Sequence, residues 1–191
     1  MPERKHSCIC VKNSEFSNGL FSGKFPAKRF SKNQKTAGIV RLFSYLRGFA
    51  RMSWDSYIDN LIAQTKDASG ETHCDRACII GLDGGAAWTT AGHANALKLQ
   101  DPEGPNIAKC FKSKDFTAFM ASGVFVEGIK YQFLREEDKK LVLGKKKGNG
   151  AITLQSSKTA IVIGHCQEGG QQGNANKGVA VIAEYLESLG M

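Results

Sequence analysis

Residues 52–61 read Met-Ser-Trp-Asp-Ser-Tyr-Ile-Asp-Asn-Leu, the most informative stretch in the chain. Trp54 and Tyr57 lie three residues apart, so on a helix they share one face. A third aromatic residue, Tyr185, lies near the other end of the chain. If the two terminal helices pack side by side, these rings form one aromatic strip. Such strips bind extended proline-rich peptides, so the pattern favours a binding module over an enzyme.

The net charge of +8 is distributed unevenly along the chain. Residues 1–51 carry eleven Lys and Arg side chains against two Glu, whereas residues 52–191 carry 15 basic and 16 acidic side chains. The excess charge therefore belongs to the first segment, and nucleic-acid binding by the remainder is not expected. We predict two parts: a basic, disordered extension, residues 1–51, and a single domain, residues 52–191.

Residues 38–50 of this extension contain a short apolar run whose spacing fits an amphipathic helix. The run is too short and too charged to span a bilayer. Three interpretations compete: an organelle-targeting peptide, a basic arm for anionic lipid or nucleic acid, and a non-native extension before a natural start at Met52. We favour the third. The six cysteines show no paired spacing typical of a secreted protein, so we expect a reduced, cytosolic setting.

Hydrophobic periodicity predicts helices and one hairpin in the first half of the domain. Ser53 is a candidate N-cap for a first helix, which is expected to end at Asp67-Ala-Ser-Gly70. Ala77–Leu82 and Ala86–Thr90, joined by Asp83-Gly-Gly85, are typical of a hairpin. A short helix is expected to start at Pro105, and another helical turn is expected over residues 116–120.

From Val124 the pattern changes to short strands with turns between them. The predicted strands are 124–126, 129–135, 141–143, 151–154 and 159–166, which indicates a meandering antiparallel sheet. The last segment returns to helical spacing, with an apolar stripe formed by Ala175, Val179, Ile182, Leu186 and Leu189. A helix at each end and a sheet between them predict an α+β domain with helices covering the sheet.

The residues quoted so far, with five further stretches, resemble the profilin family over essentially all of residues 52–191. Asp83-Gly-Gly-Ala-Ala-Trp88 is similar to its first-hairpin tryptophan motif. Gly128-Ile-Lys-Tyr-Gln-Phe-Leu-Arg135 and Gly144-Lys-Lys-Lys-Gly-Asn-Gly150 are similar to its middle strands and glycine-rich turn, and Asn176-Lys177 and Ala183-Glu-Tyr-Leu186 to its final helix. Each motif is weak alone, but their order and separations match together. The resemblance implies an antiparallel sheet with the N- and C-terminal helices packed together on one face and short helices on the other.

The resemblance also implies a monomeric protein of the cytoplasm and cytoskeleton that is not an enzyme and needs no cofactor or metal. Its implied partners are monomeric actin (G-actin), proline-rich proteins of the formin-like kind and phosphatidylinositol bisphosphate head groups. It would regulate actin polymerisation and nucleotide exchange, and deliver actin to proline-rich ligands. The implied poly-proline-binding residues are Trp54, Tyr57, Trp88, Tyr185 and Leu186. The implied actin-binding residues are Lys130, Arg135, Lys146, Lys147, Asn176 and Lys177, and the phosphoinositide-binding residues are Arg135, Lys145, Lys146 and Lys147.

Four features of these sites leave alternatives open. Helix-spaced aromatic residues such as Trp54 and Tyr57 are often core residues, and the lysines at 145–147 could be a solvated turn. Lys130 and Arg135 are five residues apart, so they point to opposite faces of an ideal strand unless a bend or the strand's end brings them together. Gln171 stands where some animal relatives have a histidine that meets actin, which is a departure from the pattern.

Enzymatic interpretations find little support. Residues 144–150 lack the Gly-Lys-Ser/Thr ending of a P-loop and lie between predicted strands, not before a helix. His73, Cys74 and Cys78 have no second cluster at zinc-ligand spacing. A small-molecule enzyme is thus kept only as an alternative class. The other alternative is a phosphoinositide-binding membrane adaptor without actin activity.

Overall fold

The computed structural model describes residues 53–191, so the predictions for residues 1–51 and for a natural start at Met52 lie outside the described residues. Four helices and six strands follow one another in this part of the chain. Their bounds are α1 Trp54–Gln64, β1 Arg76–Gly81, α2 Glu103–Ser113, α3 Thr117–Ser122, β2 Val124–Val126, β3 Ile129–Glu137, β4 Leu141–Lys146, β5 Gly150–Ser156, β6 Ala160–Cys166 and α4 Gln172–Ser188. None of these helices is long and apolar enough to cross a membrane.

The six strands form one antiparallel sheet in the order β1-β6-β5-β4-β3-β2. Strands β2 to β6 follow one another in sequence and also lie side by side in the sheet, so the predicted meander is confirmed. At the turn between β2 and β3, Glu127 and Gly128 both have positive φ, 56° and 75°, as a tight two-residue hairpin turn requires. Strand β1 pairs instead with β6, so that Arg76 lies opposite His165. The first and last strands are thereby joined by non-local hydrogen bonds.

Helices cover both faces of the sheet. On one face, residues of α1 and α4 pack with Ala151, Val162 and other inward residues of the strands. On the opposite face, residues of α2 and α3 pack with Ile152, Ile163 and their neighbours. Because both faces are covered, all seven residues of β6 are buried. This is the predicted α+β arrangement, with terminal helices on one face and short helices on the other.

Small residues let the two terminal helices lie close to each other and to the sheet. A Cβ at Gly178 of α4 would collide with the Thr65 side chain and lie 2.9 Å from the Leu61 carbonyl oxygen. A Cβ at Gly164 of β6 would lie 2.6 Å from Cγ2 of Val179. Both distances are too short for a real contact, so glycine at these positions permits the close packing that brings the ends of the domain together.

Some predicted details are wrong. The segment 86–90 is not a strand. Among residues 53–191, its β-type pairing is limited to one isolated bridge, between Ala87 and Ile80 of β1. Helix α2 begins at Glu103, two residues before Pro105. The predicted N-cap of α1, Ser53, is confirmed, although its side chain makes no capping bond. Leu189, expected in the apolar stripe of α4, follows the helix and is 52% exposed.

Candidate functional site

Four aromatic rings meet where α1, α4 and the segment after β1 come together. The ring centroids of Trp54 and Trp88 are 4.7 Å apart, those of Trp54 and Tyr57 are 5.4 Å apart, and those of Tyr57 and Tyr185 are 6.2 Å apart. Interacting aromatic pairs have separations of about 4.5 to 7 Å. The rings therefore form a continuous row in the order Trp88, Trp54, Tyr57, Tyr185, here called the aromatic strip.

The rings of the aromatic strip differ in how far they are buried. Trp54, Trp88 and Tyr185 are half-buried, whereas Tyr57 is only 9% exposed. Burial, and next the neighbouring phenol of Tyr185, raises the pKa of Tyr57. The phenol of Tyr57 therefore keeps its proton at neutral pH and can donate a hydrogen bond. The strip therefore has three partly open rings, two of which, Trp54 and Tyr185, pack on the largely buried Tyr57.

Leu186 does not line this strip, contrary to the prediction. Its side chain is 0% exposed and belongs to the core between α1, α4 and the sheet. Successive residues of a helix are rotated by about 100°, so the residue after the half-buried Tyr185 points towards the sheet. Leu186 is therefore a core residue.

The segment that carries Trp88 is held by hydrogen bonds to two different elements. The backbone N–H of Trp88 donates to the Ile79 carbonyl of β1, at 2.8 Å. Two residues further on, the backbone N–H and the hydroxyl of Thr90 both donate to the carboxylate of Asp55 in α1, at 2.7 and 2.6 Å. Asp55 and Thr90 were not singled out in the sequence, because no local pattern joins residues 35 positions apart. The sequence places an acidic residue, Asp55, in the first turn of α1, but a favourable interaction with the helix dipole accounts for an acid at that position equally well.

An irregularity in β3 places Lys130 and Arg135 on one face of the sheet. Gln132 pairs with Lys145 and Arg135 pairs with Leu143, and the register shifts between Phe133 and Arg135. Paired residues share a face, and residues two apart on a strand share a face. Gln132 and Arg135 therefore point the same way, and Lys130 joins them. The bend that their spacing required is this β-bulge.

The same face of the sheet continues onto the first turns of α4. Leu143 pairs with Thr153, whose hydroxyl donates to Oδ1 of Asn176, at 2.6 Å. The next residue, Lys177, is exposed. Arg135 is exposed too, and its Nη2 lies 2.8 Å from Oε1 of Glu137 in the same strand. We call the surface formed by Lys130, Arg135, Lys145, Asn176 and Lys177 the basic face.

Lys146 and Lys147 do not lie on the basic face as Lys145 does. Lys146 is the last residue of β4, one position after Lys145, and Lys147 belongs to the following turn. A groove of about 470 Å³ beside α3 is lined by four lysines, Lys130, Lys145, Lys146 and Lys147. Its other walls include Phe119, Met120 and Phe133. No acidic side chain among residues 53–191 lies within ion-pair distance of these four lysines. We call this the lysine groove.

Residues 52–191 match the family model described as Profilin. The chain belongs to the profilin family. Profilins are actin-binding regulators, so the aromatic strip, the basic face and the lysine groove belong to a protein of that class. The predicted membership and the predicted span are both confirmed.

Curated profilins from animals are similar to this profilin over the same residues. The profilin of Clypeaster japonicus is 85% identical over 140 residues, which cover 73% of this chain and 100% of the relative. The profilin of Suberites domuncula is 81% identical with the same coverage. Among solved structures, profilin II of Acanthamoeba castellanii matches with a TM-score of 0.58 and 31% identity, over 73% of this chain and 100% of that one. The sheet and its helices are therefore the profilin fold.

Proposed function

We propose that this profilin binds monomeric actin through the basic face and proline-rich segments through the aromatic strip, as two separate sites. The observation that carries the proposal is the continuous row of four rings at the junction of the terminal helices. The basic face, in contrast, is built on β3, β4 and the first turns of α4. A protein with two such sites can hold actin and a proline-rich partner at the same time, and so deliver one to the other.

The aromatic strip suits a polyproline II segment for physical reasons. Such a segment is already extended, so it loses little conformational entropy on binding, and its rings lie flat against aromatic faces. The indole N–H groups of Trp54 and Trp88 can donate to carbonyl groups of the ligand. Removal of one stacking ring should weaken binding by about 1–2 kcal/mol, which is roughly tenfold in affinity.

The basic face suits a partner with an acidic surface. Complementary charge raises the association rate and the specificity more than the affinity, so charge reversal on this face should act mainly on the rate of binding. Stimulation of nucleotide exchange on actin would follow if the domain binds an open form of the actin cleft better than a closed one. Binding then shifts the population of actin without any catalytic group.

The lysine groove suits a multiply phosphorylated inositol head group. Its four lysines lie around one cavity without acidic partners in the part of the chain that the structure describes, and lysine ammonium groups are strong donors to phosphate. Lys130 and Lys145 belong both to this groove and to the basic face. We therefore expect phosphoinositide and actin to compete, and we place this profilin in the cytoplasm and the cytoskeleton.

The experiment that tests the two-site proposal compares Trp54→Ala and Lys130→Glu against both ligands. We expect Trp54→Ala to lose at least about tenfold in affinity for a poly-L-proline peptide while its actin affinity stays within about twofold. We expect the reverse pattern for Lys130→Glu. Lys158→Glu serves as the matched control, because Lys158 is an exposed lysine in the turn between β5 and β6, outside both sites.

Binding is measured by titration of each full-length variant with the peptide and with monomeric actin. Circular dichroism confirms that each variant is folded. Parallel loss of both activities in a folded Trp54→Ala protein would overturn the two-site proposal. An unchanged actin affinity in Lys130→Glu would remove Lys130 from the actin-binding surface.

A further inference from the structure

Two acidic side chains of α1 hold the segment that follows Trp88. Asp55 accepts both hydrogen bonds of Thr90, from its backbone N–H and its hydroxyl. One turn further along the helix, Oδ1 of Asp59 lies 3.3 Å from Nε2 of His93. The segment from Trp88 to His93 is thus attached to the same helix that carries Trp54.

We propose that Asp55 is a positioning residue of the aromatic strip, which holds Trp88 against Trp54 through its two hydrogen bonds with Thr90. The inference rests on the proposed binding of proline-rich segments to the strip. In this arrangement Asp55 acts through Thr90 and the backbone of the segment.

The geometry gives Asp55 this role for three reasons. We call the two hydrogen bonds between Asp55 and Thr90 the Asp55 clamp. Asp55 directly follows Trp54 in α1, and Thr90 lies two residues after Trp88, so the clamp is adjacent to the pair of rings that it fixes. On the sheet side, the N–H of Trp88 donates to Ile79 and Ala87 forms a single bridge. The neutral hydroxyl of buried Thr89 accepts a longer bond, 3.4 Å, from the Ile79 N–H. Hydrogen bonds to a charged acceptor are roughly twice as strong as neutral ones, so the Asp55 clamp is the stronger attachment on the far side of Trp88.

The clamp holds Asp55 in its charged form. The hydroxyl of Thr90, then its backbone N–H, lowers the pKa of Asp55, and the charge of His93 adds to the same direction. The carboxylate is therefore ionised throughout the physiological pH range, and both hydrogen bonds of Thr90 retain a charged acceptor.

The test titrates full-length wild type and the variants Asp55→Ala, Thr90→Val and Asp55→Asn with a poly-L-proline peptide. We expect Asp55→Ala and Thr90→Val each to weaken peptide binding by about three- to tenfold, as the loss of charge-assisted hydrogen bonds implies. The double variant Asp55→Ala/Thr90→Val should bind no more weakly than Asp55→Ala alone, because Asp55→Ala already removes both hydrogen bonds of Thr90. Asp55→Asn keeps an acceptor oxygen and should recover part of the affinity.

Asp115→Ala is the matched control for Asp55→Ala. Asp115 precedes α3 and accepts the same two hydrogen bonds from Thr117, from its N–H at 3.0 Å and its hydroxyl at 2.6 Å. It is an exposed aspartate of equal chemistry on the opposite side of the sheet from the strip. Its loss should leave peptide affinity unchanged.

A second readout separates positioning from general stability. The chain has two tryptophans, and both belong to the strip, so the near-ultraviolet circular dichroism of the free protein reports on the Trp54–Trp88 pair. We expect this signal to change in Asp55→Ala and not in Asp115→Ala. Wild-type affinity and an unchanged signal in folded Asp55→Ala would overturn the inference. If wild type fails to bind the peptide, the proposed function fails, and the near-ultraviolet signal alone decides whether Asp55 positions Trp88.

Discussion

At the scale of single residues, position on a helix separates partly exposed from core side chains. Tyr185 and Leu186 are neighbours in α4, yet Tyr185 is half-buried at the aromatic strip and Leu186 is fully buried against the sheet. Trp54 and Tyr57 differ similarly, because Tyr57 is nearly buried and supports its neighbour. The sequence motifs assign all four residues to one binding site, but only three-dimensional packing shows which of their side chains are accessible from outside.

The burial of Leu186 leads to a prediction about stability. Leu186→Ala should lower the free energy of unfolding by about 2–5 kcal/mol, because truncation of a fully buried leucine removes apolar contacts and leaves a cavity. Leu189→Ala is the matched control and should change it by less than about 0.5 kcal/mol, since Leu189 is 52% exposed. Urea unfolding followed by circular dichroism measures both. A stable Leu186→Ala protein that no longer binds poly-L-proline would return Leu186 to the binding site.

At the scale of helices and strands, local patterns predicted the elements better than their ends and partners. Strand β2 has the predicted bounds, and the meander follows from the turns between short apolar runs. The prediction of a second strand over residues 86–90 was wrong, because the hydrogen bonds of Thr90 go to Asp55 in α1 and not to a strand. The spacing of Lys130 and Arg135 required a bend, but its place between Phe133 and Arg135 depends on pairing with β4.

One polar network joins β1, β6 and the turn between β4 and β5. Nδ1 of His165 lies 2.5 Å from Oδ1 of Asp75, and its Nε2 lies 2.7 Å from the carbonyl oxygen of Asn149. Burial raises the pKa of Asp75, but the hydrogen bond and charge of His165, with the charge of Arg76, outweigh it, and the net change in pKa is downward. The ionised carboxylate of Asp75 is therefore favoured by folding.

This downward pKa shift predicts how stability depends on pH. A carboxylate with a lower pKa in the folded state stabilises the fold above its unfolded pKa, and this stabilisation is lost as pH falls through the folded pKa. Asp75→Asn should therefore lower the free energy of unfolding by about 1–3 kcal/mol at pH 7. The difference from wild type should shrink below the usual aspartate pKa of 3.8.

Urea unfolding of wild type and Asp75→Asn between pH 7 and pH 3 measures this difference. Asp83→Asn is a suitable control, because Asp83 pairs with Lys112 through a side chain that is 93% exposed. A difference that stays constant down to the lowest pH would show that the Asp75 charge is not what stabilises the network.

At the scale of the whole domain, the pairing of β1 with β6 and the packing of α1 on α4 bring the two ends of the chain segment 53–191 together. This contact places Trp54 and Tyr57 beside Tyr185, and it leaves β3, β4 and the first turns of α4 for the basic face. The family motifs predicted both surfaces, since the motif residues lie on the elements that form them. The Asp55 clamp and the burial of Leu186 depend on non-local packing, which no spacing along the chain reveals.

The most direct test of this account is a titration of the full-length protein with a poly-L-proline peptide, followed by tryptophan fluorescence. Both tryptophans of the chain lie in the aromatic strip, so the signal reports on that surface alone. We predict a saturable change in fluorescence that is lost in Trp54→Ala and retained in Lys130→Glu. A folded wild-type protein whose fluorescence does not change with added peptide would contradict the account.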